Sequence, residues 1–120
     1  MAKILVHITC GPEQPTRAAL GFFVARAAIE EGHTVTVFLA GDAVQLLRDP
    51  VLDAVAGVGT GSLREHYEKL VAGGARLVLS GGSSKARGLQ DSDLAGKTYE
   101  FGNPNLLVRL AVEHDRVISY

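Results

Sequence analysis

The stretch Lys3–Thr9, Lys-Ile-Leu-Val-His-Ile-Thr, constrains the fold more than any other feature of this chain. A strand sends successive side chains to opposite faces, so a run that is apolar on both faces has to be covered on both. That is the condition of a central strand in a parallel sheet, packed between layers of helix. His33–Ala40, His-Thr-Val-Thr-Val-Phe-Leu-Ala, is a second such strand, ended by Gly41-Asp42, and Arg76–Ser80 is a third. Lys97–Phe101 reads as a weaker fourth and Arg116–Tyr120 as a fifth.

The segments between these strands carry helical signals. Thr16 is placed to cap a helix that runs to about Glu31 and stops at Gly32. This helix has two apolar stripes, one through Leu20, Phe23, Val24, Ala27 and Ala28, the other through Ala18, Phe22, Ala25 and Ile29. A helix apolar on two sides buries both, so one stripe is expected on the sheet and the surplus around Phe22, Ala25 and Ile29 against a partner. A short helix is expected over Ala43–Leu47, and residues 49–61, rich in Gly with Asp49-Pro50, read as a loop with at most a helical turn. Ser62-Leu63-Arg64-Glu65 has the pattern of a capping box opening a helix that ends at Gly73-Gly74. Asn103-Pro104 starts a last helix through Leu107, Leu110 and Ala111.

Alternating strands and helices at this spacing predict a three-layer α/β/α fold around a five-stranded, mainly parallel sheet, in one domain over residues 1–120. With 47% hydrophobic and 21% charged residues the chain is not of the disordered class. Its formal net charge is −1 with Lys and Arg scattered, which gives no nucleic-acid footprint. The apolar opening is too short to span a bilayer and lacks the layout of a signal peptide. One cysteine, Cys10, excludes an intramolecular disulfide, and together these features lead us to expect a cytoplasmic globule.

In sheets of this kind ligands bind at the carboxyl ends of the strands. Those ends are Thr9-Cys10-Gly11, Gly41-Asp42, Ser80–Ser84 and Gly102-Asn103. Leu77–Leu89, Leu-Val-Leu-Ser-Gly-Gly-Ser-Ser-Lys-Ala-Arg-Gly-Leu, offers Gly81, Gly82 and Ser83 N–H groups and the cations of Lys85 and Arg87 to an anion, while the same residues suit a plain solvated turn. It is not a Walker loop, and Gly57-Val58-Gly59-Thr60-Gly61 does not follow a strand as a dinucleotide fingerprint does. Cys10 is a candidate nucleophile if its pKa is depressed, and otherwise a small buried hydrophobe. Asp42 could orient a ligand hydroxyl or simply start a helix. His7 is expected in the core or an interface, His33 at a helix C-terminus, and His66 and His114 in solvent. No spacing among them specifies a metal site, and no cofactor is expected.

Taken in order, these motifs resemble the DsrE/DsrF-like (YchN-like) family: the strand Gly32-His33-Thr34-Val35-Thr36-Val37-Phe38, the loop signature Ala86-Arg87-Gly88-Leu89, and the closing strand Asp115-Arg116-Val117-Ile118-Ser119-Tyr120. The resemblance spans nearly the whole chain. It implies the DsrEFH-like fold, a homo-oligomer (trimer or hexamer), and a place near sulfur-relay proteins, with a relay protein as a possible partner. Sulfur-relay members carry a persulfide-forming cysteine in the loop after the third strand. Here that loop is Ser80-Gly81-Gly82-Ser83-Ser84, and serine cannot form the S–S bond that a relay needs. The expectation is therefore a non-catalytic oligomeric protein that binds a small anionic ligand or a protein partner through Cys10, Gly11, Asp42, Ser80, Gly81, Gly82, Ser83, Ser84, Lys85 and Arg87. The alternatives are a sulfurtransferase that uses Cys10 as its carrier and, on fold analogy, a flavodoxin-like nucleotide-binding domain.

Overall fold

The computed structural model describes residues 1–120. A five-stranded parallel sheet has the order β6-β5-β2-β1-β7. Its strands are β1 (Lys3–Ile8), β2 (Thr34–Leu39), β5 (Arg76–Ser80), β6 (Glu100–Gly102) and β7 (Arg116–Ser119). A two-residue antiparallel hairpin, β3 (Ala56–Gly57) with β4 (Gly61–Ser62), stands apart from it. The helices are α1 (Pro15–Glu30), α2 (Asp49–Ala54), α3 (Leu63–Ala72), α4 (Gly81–Ala86) and α5 (Pro104–Glu113), with a 3-10 segment over Gly41–Leu47.

β1 lies between β2 and β7, with Leu5 opposite Thr36 on one side and Val117 on the other. This central position is why its sequence is apolar on both faces. The two faces are covered unequally. One packs Val6, Ile8, Val37, Leu39, Leu77 and Leu79 against α1, α3 and the 3-10 segment in a cluster of 23 buried residues. The other holds a cluster of four, Leu5, Phe38, Val78 and Leu110, under α5 alone. Val6, Ile8, Val35, Val37, Leu77, Val78 and Leu79 are buried on these inner strands, and Ile4 is half-buried.

Several local expectations are corrected. Residues 49–61 are not a loop: Pro50 sits in the first turn of α2, where its missing N–H is harmless, and the glycines shape the hairpin. The capping residue of α1 is Gln14, with no side-chain cap; Thr16 lies within the helix, and its Oγ1 accepts the Val58 N–H at 3.2 Å. α1 does stop at the glycine, Gly32, at φ +90°, a conformation that favours glycine. Ser62 caps α3 by accepting the Glu65 N–H.

The stripes of α1 are also assigned the other way round. Ala18, Phe22 and Ala25 are fully buried on the sheet side, so the surplus apolar surface does not lie around them. Phe23, from the other stripe, is 41% exposed and stacks on His66 at 4.7 Å. The larger exposed apolar surface is on α5, where Val108 and Val112 are 63% and 81% exposed. No helix is long and apolar enough to cross a membrane.

Candidate functional site

The carboxyl ends of β1, β2 and β5 meet, and the predicted residues there are joined by hydrogen bonds. The segment after β5 is not an open loop but the short helix α4, because Ser80 caps it by accepting the Ser83 N–H at 3.2 Å. The Ser83 hydroxyl in turn accepts the Gly41 N–H at 2.9 Å. Arg87 Nε donates to Asp42 Oδ1 at 3.0 Å, and its other nitrogen reaches the Ser83 carbonyl at 3.3 Å. Gly11 is buried against the Asp42 carbonyl with no room for a Cβ, so glycine is required at this close approach.

Gly11, Asp42, Ser80, Ser83 and Arg87 are thus one rim. The Ser83 N–H is occupied, and the Arg87 charge is already paired with Asp42. Gly82 and Lys85 are exposed, Gly81 is half-buried, and Lys85 has no carboxylate partner. Ser84 is 3% exposed, and its hydroxyl is buried without a hydrogen-bond partner.

Cys10 is 6% exposed at the end of β1. Burial pushes its thiol up from the ordinary value, and the Glu13 carboxylate adds to this, although a backbone hydrogen bond and Arg17 act in the opposite direction. A thiol held protonated is a poor nucleophile.

A concavity lies near this rim, in a region that carries no sequence motif. A cleft of about 820 Å³ opens at the carboxyl ends of β1 and β7. It is walled by His7 and Thr9, by Ser119 and Tyr120, and by α1 from Gln14 to Arg17 with Leu20. Its only sequence signals were the polar Thr9 and Ser119 at adjacent strand ends, whose adjacency depends on the pairing of β1 with β7.

The histidines expected in solvent are structural. His66 is 3% exposed, with Nε2 2.6 Å from the Thr60 carbonyl, so this nitrogen donates and Nδ1 accepts from Arg26 at 3.3 Å. His114 is 9% exposed, donating from Nδ1 to the Leu110 carbonyl at 2.6 Å and accepting at Nε2 from the Thr36 hydroxyl at 3.0 Å. Charged neighbours in sequence suggested exposure; the helix faces on which these rings lie turn inward.

A model of the DsrE/DsrF-like family matches residues 2–120. The chain belongs to the DsrE/DsrF-like family. Its fold is similar to that of the YchN protein from E. coli, with a TM-score of 0.76 at 21% identity over 100% of both chains. It is also similar to MTH1491 from Methanobacterium thermoautotrophicum, a protein of unknown function, with a TM-score of 0.74 at 16% identity over 100% of both chains. A third, BT1422 from Bacteroides thetaiotaomicron, also of unknown function, gives 0.68 at 14% identity, covering 99% of this chain and 95% of that one. At these identities the likeness is one of fold. No curated protein matches the chain significantly. This DsrE-like chain has no cysteine in the segment after β5, and its one thiol is buried elsewhere.

Proposed function

We propose that this DsrE-like protein is a non-catalytic, cytoplasmic homo-oligomer that holds a small anion at the rim formed by Cys10-Gly11, Asp42 and Ser80–Arg87. The observation that carries the reading is the missing thiol: positions 80–84 are Ser-Gly-Gly-Ser-Ser, and Cys10 is buried with its pKa raised. Binding needs no nucleophile. Gly81 and Gly82 at the start of α4, with no side chain in the way, and the unpaired Lys85 supply donors and charge; Ser80, Ser83, Arg87 and Asp42 hold the frame, with Ser84 buried beneath it. Charge-assisted hydrogen bonds of about 1.5–3 kcal/mol each are enough for weak, reversible binding. A docked protein partner carrying a carboxylate would use the same groups.

Oligomerisation is supported by the thin face of the sheet, where Val108 and Val112 of α5 and Val117 of β7 are exposed and would be covered by a second copy. The test of the binding reading is a backbone NMR titration with sulfite and with inorganic phosphate. Shifts confined to residues 80–87 and Gly11 support it, and no movement there removes it. Persulfide labelling decides against the rival: label transferred by the unmodified protein and abolished in Cys10→Ser would make the protein a sulfurtransferase instead.

A further inference from the structure

Donors of the rim are already occupied by anions of the chain itself. Asp42 Oδ1 accepts the Arg87 Nε–H at 3.0 Å, and Glu13 Oε1 accepts the Gly11 N–H at 2.7 Å. The two acids follow different strands yet converge on one place, since a Cβ on Gly11 would meet both the Asp42 carbonyl and the second Glu13 oxygen. A carboxylate on a guanidinium and another on a backbone amide are oxyanions seated on oxyanion donors. These seats are filled from within, and they are distinct from the glycine amides of α4.

Neither seat is locked. Glu13 is exposed, and the Asp42 and Arg87 side chains are 55% and 30% exposed. An ion pair this open to water is weak, so an incoming anion can displace the acid. Arg87 keeps its place when that happens, because another of its nitrogens donates to the Ser83 carbonyl at 3.3 Å. The Asp42 pair completes the unliganded rim, but the bonds beneath it, Ser83 N–H to Ser80 and Gly41 N–H to Ser83, stand without either acid.

Displacement sets a condition on the ligand. A free carboxylate that replaces Asp42 exchanges one singly charged acceptor for another and loses its own freedom besides. An ion with two charges and more acceptor oxygens gains on the exchange. Lys85, which has no carboxylate partner, adds a charge that the internal acids leave unused. Resting on the anion-binding reading of the rim, we propose that Asp42 and Glu13 are built-in stand-ins for its ligand. They shut out free carboxylates, and Asp42 leaves Arg87 when a dianionic oxyanion such as sulfate or phosphate binds.

The test follows the isotope-labelled full chain by NMR at neutral pH and fixed ionic strength, with sulfate, phosphate and acetate as probes. In the unmodified protein, saturable shifts of residues 80–87 and of the Asp42 side-chain carboxyl are expected with sulfate or phosphate, and none with acetate. Asp42→Asn is expected to bind sulfate roughly 5- to 10-fold more tightly and to admit acetate. Glu13→Gln, on an exposed turn, is expected to act in the same direction more weakly, and it carries the test if Asp42→Asn does not fold. Glu31→Gln removes the same charge at the far end of α1 and is expected to change nothing. Sulfate binding that leaves the Asp42 carboxyl unmoved, or that is no tighter in either rim variant, overturns the proposal while the rim reading stands. Acetate bound as well as sulfate by the unmodified protein, or an equal gain in Glu31→Gln, also overturns it. Silence of residues 80–87 and Gly11 in every variant removes the rim reading itself, and binding that appears only in Asp42→Asn is the mask in its strongest form.

Discussion

The Ser83 hydroxyl accepts the Gly41 N–H at 2.9 Å, and this bond ties the helix after β5 to the segment after β2. Both elements are short, so neither is stable alone. Ser83→Ala is expected to destabilise the protein by about 1 kcal/mol, the usual net value of a neutral hydrogen bond. Chemical denaturation measures this. Hydrogen exchange should show the loss concentrated at Gly41 and α4, and a uniform loss would contradict the assignment.

Cys10 is expected to react slowly. At 6% exposure and with its pKa raised by burial, little thiolate is present and little of it is reachable. Alkylation by iodoacetamide at neutral pH should be at least about tenfold slower in the folded protein than in denaturant. Equal rates would mean that the β1 end opens readily.

Burial lowers the pKa of His7 below its ordinary 6.5. As pH falls through about 6.5 the unfolded chain takes up a proton that the folded chain resists. Stability therefore falls on acidification through that range and levels off below the folded-state pKa. Denaturation midpoints between about pH 7 and 5 should show the slope, and His7→Asn should flatten it. Identical slopes in the two proteins would assign the pH dependence to other groups.

The thin face is expected to be an interface between copies. Val108→Asp combined with Val112→Asp places two charges on the exposed side of α5, where they do not touch the monomer core. Sedimentation velocity should show wild type as a trimer or hexamer and the double variant as monomer, with an unchanged unfolding transition in the monomer. A wild type that sediments as a monomer at micromolar concentration ends the oligomer proposal.

Strand positions were legible because burial on both faces leaves no polar residue to alternate, as in Leu77-Val78-Leu79, and because Gly32 and Gly73-Gly74 interrupt the pattern. The DsrE-like order of motifs was legible for the same reason. Strand order was not, because nothing within Arg116–Ser119 says that it pairs with β1 rather than with β6. The cleft was hidden with it, since its walls come from three segments that only the sheet brings together. α4 was missed because Gly81-Gly82 disfavours helix, and the Ser80 cap and the contact with Gly41 override that tendency. The inward turn of His66 and His114 depends on partners at Thr60 and Thr36, six and 78 residues away.

The pairing of β1 with β7 also has a kinetic meaning. The Lys3 N–H donates to Asp115 at 2.8 Å across a separation of 112 residues, so β1, an inner strand of the sheet, gains its second neighbour only through one of the longest loop closures in the chain. Contacts of this range slow folding. During synthesis, β1 can pair with β2 early, but its other edge, apolar and unprotected, stays open until β7 has left the ribosome. For that interval the nascent chain carries a free parallel edge of the kind that recruits other strands. Its yield in the cell is therefore set by how long that edge waits, and slowing translation before residue 116 should increase aggregation rather than relieve it.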